Sequence, residues 1–306
     1  MSAAVDEPDT NPRAKATPPG AALRPAEIAA RSRSNFLTGF LCLDAERRDG
    51  MTAIYAFCRV ADDAVDDAPD LATATAHLGF WRDELAAASR GAARTPVGEA
   101  LQATMQRFGL AQAPLADLLD GVAMDLQPRG FADEDELRVY CRRVASAVGL
   151  ACLPVLGVGE PAGAEFADRL GLALQLTNIL RDLRGDALVG RVYVPRTWLA
   201  DSGVDAAWLD GGGPEVAYGP DGPIAQLRGR LIERAEAEFA AARAALRRLP
   251  RRSRRALVPA RIMGAIYAEL LRRLADRGGE LRGPKVRVAR PRKLWLALSV
   301  FAGLRA

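Results

Sequence analysis

The sequence predicts a single all-α domain. Ala, Leu and Arg are abundant in a chain that is 49% apolar, and runs of β-branched residues are scarce. That balance favours helix over strand. Apolar residues recur at three- and four-residue spacing from near Pro25 almost to the C-terminus, and no two-residue alternation persists beyond a few positions. No repeat of fixed period and no shift in composition marks a second domain. The 306 residues suffice for one large core.

Residues 1–24 carry Pro, Ala and mixed charge without an apolar segment. They read as a disordered tail and not as a secretory leader, which leaves residues 25–306 as the domain. Met51 to Asp67 reads as a helix stopped by Pro69. Breakers cluster at Gly91 to Pro96, Gly109 to Pro114 and Pro128 to Gly130 and separate the following helices. Val144 to Gly159 is the longest uncharged stretch. It falls short of the roughly 20 residues a membrane span needs, and Pro154 interrupts it. Leu170 to Pro195 opens as a long helix. A loop rich in Gly and Pro follows from about Asp210 to Pro223. The basic run Arg247 to Arg255 surrounds Pro250 without interleaved aromatics, the pattern of a solvated turn and not of a nucleic-acid patch. Near the end, Arg282, Lys285, Arg287, Arg290, Arg292 and Lys293 precede the apolar segment Leu294 to Leu304. That segment is too short to span a bilayer. It fits either a final helix packed on the core or, with Trp295 and its basic flank, peripheral contact with an anionic membrane.

Composition excludes several chemistries. The net charge of +4 does not call for a nucleic-acid partner. The four cysteines, Cys42, Cys58, Cys141 and Cys152, form no Cys-x-x-Cys pair, and His77 is the single histidine. A zinc site is therefore not expected, nor is a His-based nucleophilic triad. Scattered thiols fit a reducing compartment, so the expected location is cytoplasmic.

Two carboxylate clusters remain. In MTAIYAFCRVADDAVDD, residues 51–67, the stripe Met51, Ile54, Tyr55 and Cys58 runs into Asp62, Asp63, Asp66 and Asp67. Asp62 and Asp66 share a face, as do Asp63 and Asp67. Like charges at this spacing, at a helix C-terminus, are locally unfavourable. They call for a cation. Mg2+ takes one or two carboxylates plus substrate phosphates; Arg59 and Arg82 are the competing partners. In LGLALQLTNILRDLRGDALVGRVYVP, residues 170–195, Gln175, Asn178, Asp182 and Asp186 occupy one face of an otherwise apolar helix. Such a stripe must meet water or line a polar cavity. The simpler alternative is an exposed face with Arg181–Asp182 or Arg184–Asp186 contacts. Two metal-binding walls suit a reaction that holds a diphosphate, neutralises it and lets it leave.

At these residues the chain resembles the squalene/phytoene synthase family over roughly residues 30–300. Met51 to Asp67 is similar to the family's first aspartate-rich motif, with Asp62 and Asp66 in the D-x-x-x-D positions. YCRRVASAVGLACLPV, residues 140–155, resembles the central helix signature. Gln175, Asn178, Arg181, Asp182, Asp186, Arg191, Tyr193 and Pro195 match the second signature throughout. The resemblance implies the isoprenoid synthase fold, helices around a central cavity with the two Asp motifs across its mouth. It implies Mg2+, with Mn2+ as a substitute, on Asp62, Asp66, Asn178, Asp182 and Asp186. Ser34, Arg59, Gln175 and Arg191 would contact diphosphate, and Tyr55 and Tyr193 would face a carbocation. Asn35 departs from the family's Ser-rich pair beside Ser34, and Asp125 in GVAMDL recurs in relatives.

The implied reaction ionises one allylic diphosphate, adds the second through its 2,3 double bond and closes a cyclopropane on proton loss. LQLTNILRDL and the C-terminal run place the resemblance nearest bacterial members that make presqualene diphosphate from farnesyl diphosphate in hopanoid pathways. Such an enzyme needs no NADPH. Phytoene synthesis from geranylgeranyl diphosphate stays open, as does a non-catalytic assembly-factor role.

Overall fold

The computed structural model describes residues 17–31, 39–40, 42–126 and 130–303. Among them the regular structure is entirely helical. The helices are α1 Pro25–Arg31, α2 Ala45–Asp66, α3 Leu71–Ser89, α4 Pro96–Phe108, α5 Ala113–Met124, α6 Glu134–Cys141, α7 Ala147–Leu156, α8 Pro161–Leu188, α9 Arg196–Asp201, α10 Pro223–Arg248, α11 Arg251–Ala256, α12 Val258–Ala275 and α13 Arg290–Phe301. A wider π-helical turn, Arg142–Ser146, joins α6 to α7 without a break. The loop expected between 210 and 223 holds only one short turn, Glu215–Tyr218. Before Pro25 the chain does not trail away. Ala21 is buried against the core.

Local chemistry sets the helix ends. Asp44 and Asp70 accept the backbone N–H groups of Arg47 and Thr73 and cap α2 and α3. Gly109 and Gly157 close α4 and α7 with φ of 68° and 69°, the left-handed conformation only glycine adopts at little cost. Between α3 and α4 the buried Glu84 accepts the N–H groups of Arg94 and Thr95, each at 2.7 Å, and the Thr95 hydroxyl at 3.0 Å. A buried carboxylate so fully bonded fixes the turn.

Close packing then brings the central elements together. A Cβ on Gly171 would lie 2.6 Å from the Ser146 backbone, and one on Gly121 would lie 2.7 Å from the Arg143 and Val144 side chains. Two glycines thus let α8 and α5 press against the π turn. The longest pairing joins α8 to α10. Glu238 of α10 ties it to Arg138 of α6 at 2.7 Å and to Arg169 of α8 at 3.1 Å. The core is aromatic at its densest point, where Trp81 meets Phe57 and Phe80 edge-on. The continuous helix from Glu134 to Leu156 has the length and apolarity of a membrane span. Much of its apolar face lies inside the domain, although Val139 is exposed: Ala147, Ala151 and Val155 are buried, and Val144, Val148, Cys152 and Leu156 line a cavity.

Candidate active site

That cavity has a volume of about 470 Å³, within the usual range of small-molecule sites. Its walls are α2, the π turn with α7, α8 and α12. Each wall is one stripe of a helix. On α2 the lining residues are Met51, Ile54, Tyr55, Cys58, Arg59 and Asp62, so the apolar stripe legible in the sequence faces the cavity and ends in a carboxylate. On α8 the stripe runs from Phe166 through Leu170 and Leu174 to Gln175 and Asn178. The polar groups of both helices gather at one end, and the rest is hydrocarbon.

The polar end is electrostatically tense. Asp62 has an exposed surface that opens on the cavity, but protein crowds it closely and strips away part of its water. That desolvation, with Asp66 one turn away, pushes its carboxyl up to about 7. Asn178 donates to Gln175 Oε1 at 3.4 Å, but its own Oδ1 is buried without a hydrogen-bond partner. A buried amide oxygen facing no donor is a costly arrangement that a bound cation would relieve.

Asp66, Asp182, Asp186, Arg191 and Tyr193 stand outside the cavity lining. Arg191 donates to Asp66 Oδ1 at 2.7 Å and its charge also stabilises the Asp125 and Asp186 carboxylates. On the second wall, burial alone would raise Asp182. Arg181 at 2.5 Å and Lys285 at 2.6 Å reverse this and hold it below its ordinary value. Asp186 feels Arg191, Lys285 and Arg181 only as more distant charges, and burial together with the Asp182 charge outweighs them and pushes it up to about 6. Of the arginine–aspartate ion pairs that the spacing allows here, Arg181–Asp182 forms. Arg184 instead donates to the Asp210 carbonyl at 2.9 Å, and Arg82 pairs with Asp120 at 2.6 Å, away from the first cluster. Arg59 does bind that cluster, through Asp63 at 2.5 Å.

Three further groups join the site: Asp125, already noted in the sequence, and Tyr140 and Lys285, which were not expected there. Asp125 accepts the hydroxyls of Tyr193 at 2.8 Å and Tyr140 at 3.0 Å. The two rings stack with centroids 5.2 Å apart. Tyr193 is thereby committed to Asp125, while Tyr55 lines the cavity. Burial raises Asp125 although both hydroxyls act to lower it. Lys285 is the third group. Its loop is pinned by the buried Arg228, which donates to the carbonyls of Leu274 at 2.7 Å and Glu280 at 2.5 Å. Ser34, expected at the diphosphate, lies outside the described residues, as does Asn35. His77 is buried on α3, apart from the cavity lining.

Among the described residues no three Asp, Glu, His or Cys side chains form a ready metal cage. The donor set is one of hard oxygens: Asp62, whose negative charge is disfavoured by desolvation and by Asp66, and the unpartnered Asn178 Oδ1. It fits Mg2+ shared with a phosphorylated ligand.

The squalene/phytoene synthase family model matches residues 29–292, and the chain belongs to that family. A presqualene diphosphate synthase of Rhodopseudomonas palustris is 36% identical over 266 residues, covering 87% of this chain and 92% of the relative. A phytoene synthase of Mycobacterium tuberculosis is 36% identical over 244 residues, covering 80% and 78%. Among solved structures, a dehydrosqualene synthase with bound ligand superposes with a TM-score of 0.78 at 29% identity over 92% of this chain and 94% of that one. A squalene synthase of Alicyclobacillus acidocaldarius gives 0.71 at 28% identity over 83% and 93%. The fold is the isoprenoid synthase fold, and the protein is an enzyme of the prenyltransferase type.

Proposed function

We propose that this enzyme joins two farnesyl diphosphates head to head to give presqualene diphosphate. The observation that carries the reading is a cavity with a charged end and a hydrocarbon body. Met51 and Asp62 are three helical turns apart, about 16 Å along α2. An extended farnesyl chain reaches about 14 Å from bonds of roughly 1.5 Å. A geranylgeranyl chain, at about 19 Å, is longer than this span of α2. The presqualene diphosphate synthase relatives support the same substrate.

In the proposed reaction the C1–O bond of the first farnesyl diphosphate breaks and inorganic diphosphate leaves with the electron pair. The C2–C3 double bond of the second substrate attacks the allylic cation. Loss of one proton closes the cyclopropane. Asp62, Asp66, Asn178, Asp182 and Asp186 would hold Mg2+, which supplies charge neutralisation of the leaving diphosphate. Arg59 and Arg191 add fixed positive charge beside it. Tyr55 offers a π face to the cation, and the walls of α7, α8 and α12 exclude water that would quench it. Cys58 and Cys152 line the same walls. Burial pushes the Cys152 thiol up to about 12 and raises Cys58 well above its ordinary value. Both stay protonated, so neither is a thiolate able to trap the cation.

The reaction consumes no reductant if it stops at presqualene diphosphate, so NADPH is not required. The equal identity to a phytoene synthase favours one second reading, condensation of two geranylgeranyl diphosphates. A product assay separates them. The protein is incubated with Mg2+ and either substrate, with and without NADPH. Presqualene diphosphate from farnesyl diphosphate, unchanged by NADPH, supports the proposal. Phytoene from geranylgeranyl diphosphate replaces it, and squalene formed only with NADPH extends it. No product with either substrate points to the non-catalytic relative.

A further inference from the structure

Helix α13 is amphipathic in an unusual place. Leu296, Ser299 and Val300 are buried against the domain. On the other side Leu294, Trp295, Leu298 and Phe301 are 59%, 48%, 60% and 70% exposed. They are four of the nine large apolar side chains that stand exposed among the described residues, gathered on one twelve-residue helix. At 100° per residue they form a stripe about 120° wide. Single exposed apolar residues are ordinary; a contiguous stripe marks a contact surface.

The charge beside the stripe is of one sign. The helix carries three cations at its start, Arg290, Arg292 and Lys293, and no acidic residue along its length. Lys293 is held below its ordinary value by partial burial and then by the charges of Arg290 and Arg287, which places three cations in one field. Arg292 lies over the Trp295 ring at 4.4 Å and bonds Glu269 at 3.2 Å, fixing the start of the helix to α12. The result is a rigidly seated helix that presents Leu, Trp and Phe outward beneath a basic collar. A flat anionic lipid surface complements both features. A second copy of the chain does so less well. A helix of this length is about 18 Å long and 10 Å wide, on the order of 200 Å². A specific dimer buries roughly 800 Å² on each partner.

The geometry points to α13 as a docking element that seats the enzyme on an anionic membrane, with Leu294, Trp295, Leu298 and Phe301 entering the interface. This goes beyond the proposed condensation and does not depend on which product forms. The full chain is sedimented with vesicles of phosphatidylcholine alone and of phosphatidylcholine with phosphatidylglycerol, and Trp fluorescence is followed with brominated lipids. Binding to the anionic vesicles, weakened by salt, is expected. Leu298→Glu with Phe301→Glu should abolish it, and Arg290→Ala should weaken it by about fivefold. Circular dichroism and thermal melting confirm that each variant remains folded, since the altered side chains face outward. Binding by the Glu variant equal to wild type overturns the inference, as does failure of the wild type to bind anionic vesicles. A concentration-dependent dimer in sedimentation velocity that the Glu variant abolishes assigns the face to self-association and overturns it as well.

Discussion

The guanidinium of Arg191 bonds the Asp66 carboxylate at 2.7 Å across 125 residues of sequence. This contact joins the end of the first aspartate-bearing helix to the segment that follows the second. Around it lie Asp125 and Asp186, whose carboxylates the same positive charge stabilises. One arginine thus acts on acids of both walls, beside Lys285 and Arg181 at Asp182.

The first prediction concerns the two walls. Asp62→Asn and Asp182→Asn should each lower turnover by at least about 100-fold. Neither should reduce helical content, because Asp62 faces a cavity and Asp182 lies among charged partners at the domain's edge. Steady-state kinetics with circular dichroism on the same samples provides the check. Near-normal rates in both variants would remove these residues from the metal assignment.

The second follows from the raised carboxyl of Asp62. Its folded value of about 7 lies above that of an unfolded chain, so the folded protein binds this proton more tightly. The associated stability is complete below about pH 4 and is lost as pH rises through about 7. Asn mimics the protonated form and escapes the loss. Without Mg2+, the melting temperature of Asp62→Asn should therefore gain on wild type between pH 4 and pH 7. A constant difference across that window would contradict the raised carboxyl of Asp62. The affinity for Mg2+ should rise with pH over the same range, because the ligand form is the carboxylate.

Lys285 supplies the third. Its ammonium sits 2.6 Å from Asp182, where it competes with any incoming cation. Lys285→Ala should change stability by less than about 1 kcal/mol, since the lysine is half exposed. Mg2+ alone should bind about fivefold more tightly to this variant, as read by the Mg2+ dependence of melting. Unchanged Mg2+ affinity would separate Lys285 from the metal wall.

Gly171 gives the fourth. Its hydrogen faces the Ser146 backbone, where a Cβ would come within 2.6 Å. Gly171→Ala should cost about 2 kcal/mol through overpacking. Because Gly171 also lines the cavity, turnover should fall in the fraction that remains folded. Thermal melting and kinetics together test this. Wild-type stability would mean that the π turn yields to the added methyl.

Much of this arrangement was legible beforehand. The stripe Met51, Ile54, Tyr55, Cys58 and the run Gln175, Asn178 announce their faces because a helix repeats every 3.6 residues. The order of carboxylates and amides in the second motif was enough to recognise the family. What the spacing left open was the partners. Arg184 turned to a carbonyl of Asp210 and Arg82 to Asp120, because spacing fixes which way a side chain points but not what another helix brings to meet it. Ala21 packs on the core although its surroundings are compositionally tail-like.

By itself, then, the amino-acid order determined the helices, their inward faces and the chemistry they carry, since these depend on neighbours three or four residues apart. The contacts of Arg191 with Asp66, of Lys285 with Asp182, and of Tyr140 and Tyr193 with Asp125 were decided only by the tertiary structure. So was the division of α13 into a buried and an exposed face. Each joins groups far apart in the chain, and only the close packing of helices at Gly121, Gly171 and their neighbours sets which distant residues meet.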